Sequence, residues 1–273
     1  MRMLAAGGLL YDIGMLHLDP VLQRPQQELS AEQRRHLYTH PLVSVLLLER
    51  HHEYPPELLR AVREHHECLD GSGYPRGIAG ESISGWGRIL GLTKLVAALS
   101  APGVPAAAQR LSAVLRMNRH RYHTPLAREI ERALQTVPAT ALAGDAPDPL
   151  QTLPEIERAL AAWPTDPPAS LDSGRRTAVA VIRDQCAQVL RLLDDAGVGC
   201  EALAAFGAQG LSDAERVELT LVAREAGWQL RVVARQARRR IRDSEGPLPP
   251  WVESWLADAD ALCARLLADA APA

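Results

Sequence analysis

Four side chains in the first quarter of the chain carry the chemistry of a metal site. Asp12 lies in the segment YDIGM, His40 lies in THP, and His65 and His66 are adjacent to one another. Imidazoles and carboxylates are the usual protein ligands of zinc, iron and manganese ions. Adjacent histidines on a helix point about 100° apart, so they reach one ion only near a helix end. The sequence therefore predicts a metal-ligand set of Asp12, His40, His65 and His66.

A loop follows the histidine pair. Residues 70–77 read DGSGYPRG, and three glycines and a proline in eight positions exclude a regular helix. Glycine-rich loops bring backbone N–H groups close to phosphate. We therefore expect a structured loop with the potential to bind an anion beside the metal-ligand set.

The elements that position these residues are predicted to be helices. Aromatic residues make up only 4% of the chain, so its core must consist mostly of Leu, Val, Ile and Ala, which favours helix over sheet. Ser30 and Gln33 form a capping-box pattern, Pro55 and Pro56 begin another helix, and residues 88–99 form an apolar helix. No segment alternates like a strand, so we predict an all-α fold.

The domain organisation follows from composition. We predict a first domain over residues 1–135, which holds every histidine, and a linker over 136–174 that is rich in Pro and Ala. This linker carries one short helix near residues 153–163. Residues 175–273 are predicted to form a helical bundle of unknown role, with a capping box at Ser212 and Glu215 and a helix start at Pro249.

Charge and cysteine content restrict the partners. The net charge of −3 gives no general attraction to nucleic acid or to an anionic membrane, and no window approaches the ~20 apolar residues of a membrane span. Four scattered cysteines form no CxxC pair, which favours a reducing compartment. We therefore expect a cytoplasmic protein that binds neither nucleic acid nor membrane.

The order of these motifs resembles the HD-GYP family of metal-dependent phosphohydrolases. The matching text is LLYDIGMLHLDPVLQRPQQELSAEQRRHLYTHPLVSVLLL, followed by LLRAVREHHECLDGSGYPRGIAGESISGWGRIL, within residues 4–135. The resemblance implies an all-helical fold and hydrolysis of the bacterial second messenger cyclic di-GMP. It also implies a site of two or three metals, commonly iron or manganese, at which an activated water attacks the phosphodiester in line.

Most positions of the family motif are kept. The resemblance assigns metal binding to Asp12, His40, His65 and His66. It assigns ligand binding to the loop residues and to an arginine that faces the substrate phosphate, namely Gly73, Tyr74, Pro75 and Arg88.

Two metal-ligand positions are substituted. The histidine of the HD dyad aligns with Tyr11, and the last aspartate ligand aligns with Lys94, the one lysine among 30 basic residues. A phosphate-directed lysine aligns with Met15, and a further aspartate with Ala97. A phenol is a poor ligand and an ammonium is none. We expect Lys94 to place its charge near Asp12, where such a pair is worth about 4 kcal/mol of Coulomb energy at an effective dielectric of 20.

Three functions remain open at this point. The first is a degenerate cyclic di-GMP binding or interaction protein with lost or weak catalysis. The second is an active phosphodiesterase that uses a reduced site of one divalent metal, iron or manganese. The third is a helical scaffold that binds no metal. A protein partner or a homodimer is expected.

The region ahead of the HD dyad is short. Ten residues precede Tyr11, whereas HD-GYP domains carry several helices there. We expect that the true start lies upstream, that the chain is a fragment, or that another chain supplies those helices. Leu4, Leu9 and Leu10 are otherwise expected to lack apolar partners.

Overall fold

The computed structural model describes residues 2–23, 29–100, 106–122, 124–135, 137, 147–166, 171–199, 202–204, 210–242 and 247–267. Within these ranges every regular element is helical, so the predicted all-α class is confirmed. None of the helices in these ranges combines the length and the apolar character that crossing a bilayer requires.

The chain divides into two compact units. The first unit contains α1 (Arg2–Leu10), α2 (Ala31–Leu37), α3 (His40–Leu48), α4 (Pro56–Glu64), α5 (Gly85–Leu99) and α7 (Thr124–Leu134). The second unit contains α6 (Ala107–Met117), α8 (Pro149–Ala161), α9 (Ser173–Asp195), α10 (Asp213–Arg242) and α11 (Pro250–Leu267).

These units differ from the domain boundaries that we predicted. α6 falls in the second unit rather than the first, because its buried Ala113 and Met117 join the second core. α8 lies inside the predicted linker 136–174, yet its buried Leu153 and Ile156 belong to that same core. The linker residues 136, 138–146 and 167–170 lie outside the described residues.

Helix starts in the first unit follow local sequence signals. Ser30 accepts a hydrogen bond from the backbone N–H of Gln33, and the Gln33 side chain accepts one from the backbone of Ser30, so the predicted capping box is confirmed. α4 begins at Pro56, as predicted. α5 begins at Gly85, ahead of the predicted start, because the Ser84 hydroxyl accepts from Gly87 N–H and caps the helix there.

The core of the first unit is small. It is formed by α3, α4 and α5 through the buried residues Val45, Leu48, Leu58, Ala61, Val62 and Leu90. α1 packs on it, and Leu4 and Leu10 find apolar partners there. The expectation that these two leucines lack partners is therefore wrong, whereas Leu9 remains 87% exposed.

The second unit is held by a larger apolar core. Trp163 meets Trp251 and Trp255 edge to face, at centroid distances of 5.2 and 4.8 Å. Trp255 Nε1 donates to the Ala159 carbonyl, so its one polar atom is satisfied inside the core. The Ser212–Glu215 capping box is present ahead of α10.

Candidate metal centre

A close backbone contact carries Asp12 to the start of α3. Asp12 lies between α1 and the short 3₁₀ helix Ile13–His17. A Cβ atom on Gly14 would lie 2.3 Å from the carbonyl oxygen of His40, so only glycine fits there. The backbone N–H of Gly14 donates to Ser44 Oγ at 2.9 Å. These contacts hold the Asp12 segment against the helix end that presents His40.

The adjacent histidines lie at the end of α4. The helix ends at Glu64 and His65 is its C-cap, so the chain leaves helical geometry between the two rings. This is the placement that two adjacent histidines need in order to face one site. The four predicted ligands, Asp12, His40, His65 and His66, each offer one ligand atom within 4.8 Å of the others.

Backbone carbonyls fix the orientation of two of the rings. His40 Nδ1–H donates to the Leu37 carbonyl at 2.8 Å, and His65 Nδ1–H donates to the Val62 carbonyl at 2.6 Å. A neutral imidazole that donates through Nδ1 carries a lone pair on Nε2. Both Nε2 atoms therefore face the site as acceptors, in the tautomer that metal-bound histidines adopt.

Three acceptor atoms, Asp12 Oδ1 and the Nε2 atoms of His40 and His65, lie close to one another. Asp12 Oδ1 lies 3.2 Å from each Nε2 of His40 and His65, and the two Nε2 atoms are 3.4 Å apart. Asp12 Oδ1 is buried and has no hydrogen-bond partner. Burial also lowers the pKa of His65, which keeps that ring neutral. Such a group of acceptors is satisfied when a proton or a metal cation lies between them.

The pKa of Asp12 follows the same arrangement. Burial by itself favours the neutral acid, but a proton on Nε2 of His40 or His65 donates to the carboxylate, and this attraction outweighs burial and holds the carboxyl pKa well below its ordinary value. The carboxylate is therefore ionised at neutral pH, and it attracts a proton or a metal ion into the space between the three atoms.

The spacing fits one ion. Ligand bonds of about 2.0–2.2 Å in tetrahedral or octahedral geometry place neighbouring ligand atoms about 3–3.6 Å apart, which covers the distances among Asp12, His40 and His65. Two histidines and one carboxylate would fill three positions of a coordination sphere. That donor set is typical of non-haem iron(II) sites.

Lys94 engages the fourth predicted ligand. Its Nζ donates to His66 Nδ1 at 2.6 Å, so a neutral His66 carries its own proton on Nε2. Burial lowers the pKa of Lys94 to about 8, and burial together with the lysine charge lowers the pKa of His66. The Asp12 carboxylate favours the charged form of Lys94, so the expectation that Lys94 places its charge near Asp12 is confirmed, whereas its direct hydrogen bond goes to the His66 imidazole.

Tyr11 stays a neutral phenol. Burial, followed by the adjacent Asp12 carboxylate, raises its pKa above the ordinary value. Its ring meets the edge of the His65 ring at a centroid distance of 4.8 Å. Tyr11 therefore packs beside the cluster rather than offering an anionic oxygen to it.

The glycine-rich loop packs directly on the histidine segment. A Cβ atom on Gly73 would lie 2.4 Å from the His66 carbonyl oxygen, which explains why this position needs glycine. The Glu67 carboxylate accepts from the backbone N–H groups of Arg76 and Ile78, and Tyr74 N–H donates to the His66 carbonyl. The two of these N–H groups that lie in the loop, those of Tyr74 and Arg76, are therefore used by the protein itself and are not offered to phosphate.

Aromatic contacts place the remaining loop residues. The Tyr74 ring stacks on His66, and burial raises the pKa of its hydroxyl, so the phenol is neutral. Pro75 follows it in the loop and is half-buried. Gly73 and Tyr74 therefore lie beside His66, and Pro75 follows them in the chain; ligand binding by these three residues stays a prediction.

Arg88 is tied to a surface carboxylate. Its terminal nitrogens donate to Glu81 at 3.1 and 2.9 Å, and its Nε donates to the Ile83 carbonyl. The Glu81 side chain is 95% exposed, so the pair is a weak surface contact that an anionic ligand can replace. The structure does not bring Arg88 into contact with the four predicted ligands.

Sequence reasoning missed three residues that shape the site. Ser44 anchors the Asp12 segment, Glu67 organises the loop, and Tyr38 stacks on Tyr74 at 3.9 Å. Glu67 carries a weak signal, since it directly follows the histidine pair. Ser44 and Tyr38 carry none, because their partners lie 30 or more positions away in the chain.

Comparisons with known proteins agree with this geometry. Residues 1–125 match the family model described as HD domain. A segment of 132 residues is 31% identical to a 3'3'-cGAMP-specific phosphodiesterase 3 of Vibrio cholerae, and it covers 48% of this chain and 28% of that relative. No solved structure matches the chain. The two matches support the HD superfamily for the first part of the chain, whose fold is all-α and HD-domain-like.

Proposed function

We propose that the first unit binds a cyclic dinucleotide at a centre that holds one divalent metal, and that its hydrolytic activity is weak or lost. The contact between Lys94 Nζ and His66 Nδ1 carries this proposal. By the HD-GYP resemblance, position 94 belongs to an aspartate that binds a second metal. A lysine there supplies a fixed positive charge but no lone pair, and it engages a nitrogen of the fourth predicted ligand.

Asp12, His40 and His65 are the residues that would hold the ion, and iron or manganese suits the donor set. When bound, such an ion acts as a Lewis acid on a phosphate oxygen and lowers the pKa of a coordinated water. The chain contributes the orientation. The Leu37 and Val62 carbonyls hold the two imidazoles, and Ser44 holds the backbone of the Asp12 segment.

Two cations of the chain suit the charge of a phosphodiester. The Lys94 ammonium lies beside the cluster, and desolvation strengthens its attraction for an anionic oxygen. Arg88 can exchange its exposed partner Glu81 for a phosphate, for which its planar guanidinium is a bidentate donor. With one ion instead of two, the chain can hold a phosphodiester but lacks the clamp on both the attacking and the leaving oxygen.

The relative from Vibrio cholerae and the HD-GYP resemblance both support the proposed class of ligand. The relative acts on 3'3'-cGAMP, and the resemblance implies cyclic di-GMP, so the shared chemistry is a cyclic purine dinucleotide. A cytoplasmic location suits such a messenger. It is favoured by the free thiols of Cys68, Cys186 and Cys263, which the described part of the chain keeps buried and unpaired with one another.

Metal content, calorimetry and turnover on three proteins test the proposal. The wild type is compared with the double variant Tyr11→His/Lys94→Asp, which restores both substituted ligands. The control is Thr93→Asp, which introduces an aspartate at the neighbouring exposed position. We expect one metal ion in the wild type, measurable binding of cyclic di-GMP or 3'3'-cGAMP, and slow hydrolysis. The double variant is expected to bind a second ion and to gain about tenfold or more in rate, as a two-metal clamp requires. Thr93→Asp is expected to change neither the metal content nor the hydrolysis rate.

A second candidate function, an active single-metal phosphodiesterase, is favoured by the two-histidine, one-carboxylate donor set of Asp12, His40 and His65. It predicts that the wild type hydrolyses the ligand as fast as the double variant does. Equal rates would support this candidate and contradict the proposal of weak or lost catalysis. Absence of both metal and dinucleotide binding would contradict both functions.

A further inference from the structure

Three aromatic rings form a stack that runs from the candidate metal centre toward the surface. His66 and Tyr74 lie 4.2 Å apart at an interplanar angle of 20°, and Tyr74 and Tyr38 lie 3.9 Å apart at 9°. His66 and Tyr74 are partly buried, whereas Tyr38 at the outer end is 36% exposed. The stack therefore ends in a flat aromatic ring at the surface.

The outer ring does not serve the hydrophobic core. Tyr38 caps the C-terminus of α2, and it is not among the residues that pack against the buried cluster of the first unit. One face of its ring is covered by Tyr74 in nearly parallel geometry. The exposed part of Tyr38 is where a further planar group would extend such a stack.

We propose that Tyr38 is the stacking platform for one base of the bound cyclic dinucleotide. The inference rests on the proposed function, since it concerns the same ligand. Bases bind proteins by stacking on exposed aromatic side chains, because every base has a π-face. Centroid spacings of 4.2 and 3.9 Å connect Tyr38 through Tyr74 to His66, so a base on the outer ring would belong to the same stack as a ligand of the candidate metal centre. Tyr38 is then a positioning residue and not a catalytic one.

Calorimetry with a purine and a pyrimidine ligand tests the platform. Cyclic di-GMP and cyclic di-UMP are titrated into the full chain in its wild-type form and as Tyr38→Phe, Tyr38→Leu and Tyr38→Ala. Loss of one stacked base weakens binding by about five- to hundredfold, so Tyr38→Ala and Tyr38→Leu are expected to lose that much affinity for cyclic di-GMP. Tyr38→Phe is expected to keep it.

The ratio of the two affinities separates stacking from a structural effect. A platform favours the larger purine, so the preference for cyclic di-GMP over cyclic di-UMP is expected in the wild type and in Tyr38→Phe and is expected to vanish in Tyr38→Leu. Leucine still covers Tyr74, so this variant is decisive even where Tyr38→Ala disturbs the loop. Leu46→Ala, at a 62% exposed position of α3, is the matched surface control and is expected to keep the ratio.

Two outcomes overturn the inference, and they are distinguishable. If the wild type binds cyclic di-GMP and Tyr38→Leu keeps both its affinity and its purine preference, the platform is wrong and the proposed function stands. If the wild type binds neither dinucleotide while it retains its metal, both the proposed ligand and the proposed platform are wrong.

Discussion

The two compact units bury different kinds of side chain. The first unit encloses charged and polar groups near the candidate metal centre, including His40, Ser44, Glu64, His65 and Glu67. The second unit encloses an extensive set of aliphatic and tryptophan side chains from α6 and α8 to α11. Buried polar groups are stable only with well-placed partners, whereas apolar groups need only close packing. The first unit thus positions polar groups around a candidate site, whereas the second unit is stabilised mainly by apolar packing.

Close backbone contacts show the same difference. In the first unit, a Cβ on Gly14 or Gly73 would meet backbone atoms at 2.3 and 2.4 Å. In the second unit, a Cβ on Gly227 would meet the side-chain end of Leu266 at 3.0 Å. A side-chain end can move, whereas a backbone atom cannot do so without displacing its whole element. Backbone atoms therefore exclude a side chain at Gly14 and Gly73 of the first unit, whereas glycine is favoured at Gly197 and Gly210 of the second unit by positive φ angles of 71° and 78°.

The largest effect is expected in the apolar core of the second unit. Ile156→Ala removes a fully buried side chain from α8 and should lower the free energy of unfolding by about 3 kcal/mol. Urea unfolding followed by tryptophan fluorescence measures this loss. The metal content of the folded variant should equal that of the wild type, and a loss of metal would contradict the separation of roles between the units.

Gly14→Ala should affect both stability and metal binding in the first unit. The added methyl group meets His40 and Ser44 backbone atoms and should cost about 2–3 kcal/mol. Metal affinity should fall as well, because Asp12 moves away from the histidines. Gly8→Ala is the control, since nothing lies within 4 Å of its Cβ position on α1 and alanine favours a helix. If Gly14→Ala binds metal as the wild type does, this contact does not position Asp12.

Metal addition should stabilise the first unit selectively. A divalent ion at about one hundred times its dissociation constant stabilises the folded state by about 2.7 kcal/mol. Hydrogen exchange, measured helix by helix, should show slower exchange in α3 and α4 and little change in α8. Asp12→Asn should abolish the effect. Equal slowing in both units, or slowing that survives in Asp12→Asn, would contradict the assigned ligands.

Lys94 of the first unit and Cys263 of the second should contribute to stability with opposite signs at alkaline pH in the metal-free protein. The Lys94 pKa is lowered by burial to about 8 from an ordinary 10.5, so the unfolded chain holds more protons in that interval and stability rises with pH. The Cys263 pKa is raised by burial from 9.0 to about 11, so the folded chain holds more protons there and stability falls. Each slope is at most about 1.4 kcal/mol per pH unit.

Variants separate the two alkaline slopes. Stability is measured by urea unfolding between pH 8 and 10.5 for the wild type, Lys94→Met and Cys263→Ala. Lys94→Met should lose the contribution that raises the free energy of unfolding with pH. Cys263→Ala should lose the contribution that lowers it. An unchanged pH profile in Lys94→Met would show that the lysine is not buried beside His66 as described.

Local signals in the sequence predicted the parts of the fold that depend on neighbouring residues. The capping boxes at Ser30 and Ser212 and the helix start at Pro56 are confirmed, since each involves residues within one turn. The grouping of Asp12 with the three histidines came from motif order and the resemblance. Contacts between distant segments were not predictable. The Lys94–His66 bond, the Arg88–Glu81 pair and the Tyr38 stack depend on how helices pack, which a single sequence does not show.

The central claim is that Lys94 takes the place of a second metal ion, and anomalous diffraction from crystals grown with iron or manganese tests it most directly. We predict one anomalous peak per chain, surrounded by Asp12, His40 and His65, with Lys94 Nζ still hydrogen-bonded to His66 Nδ1. Two peaks, with Lys94 displaced from His66, would contradict it.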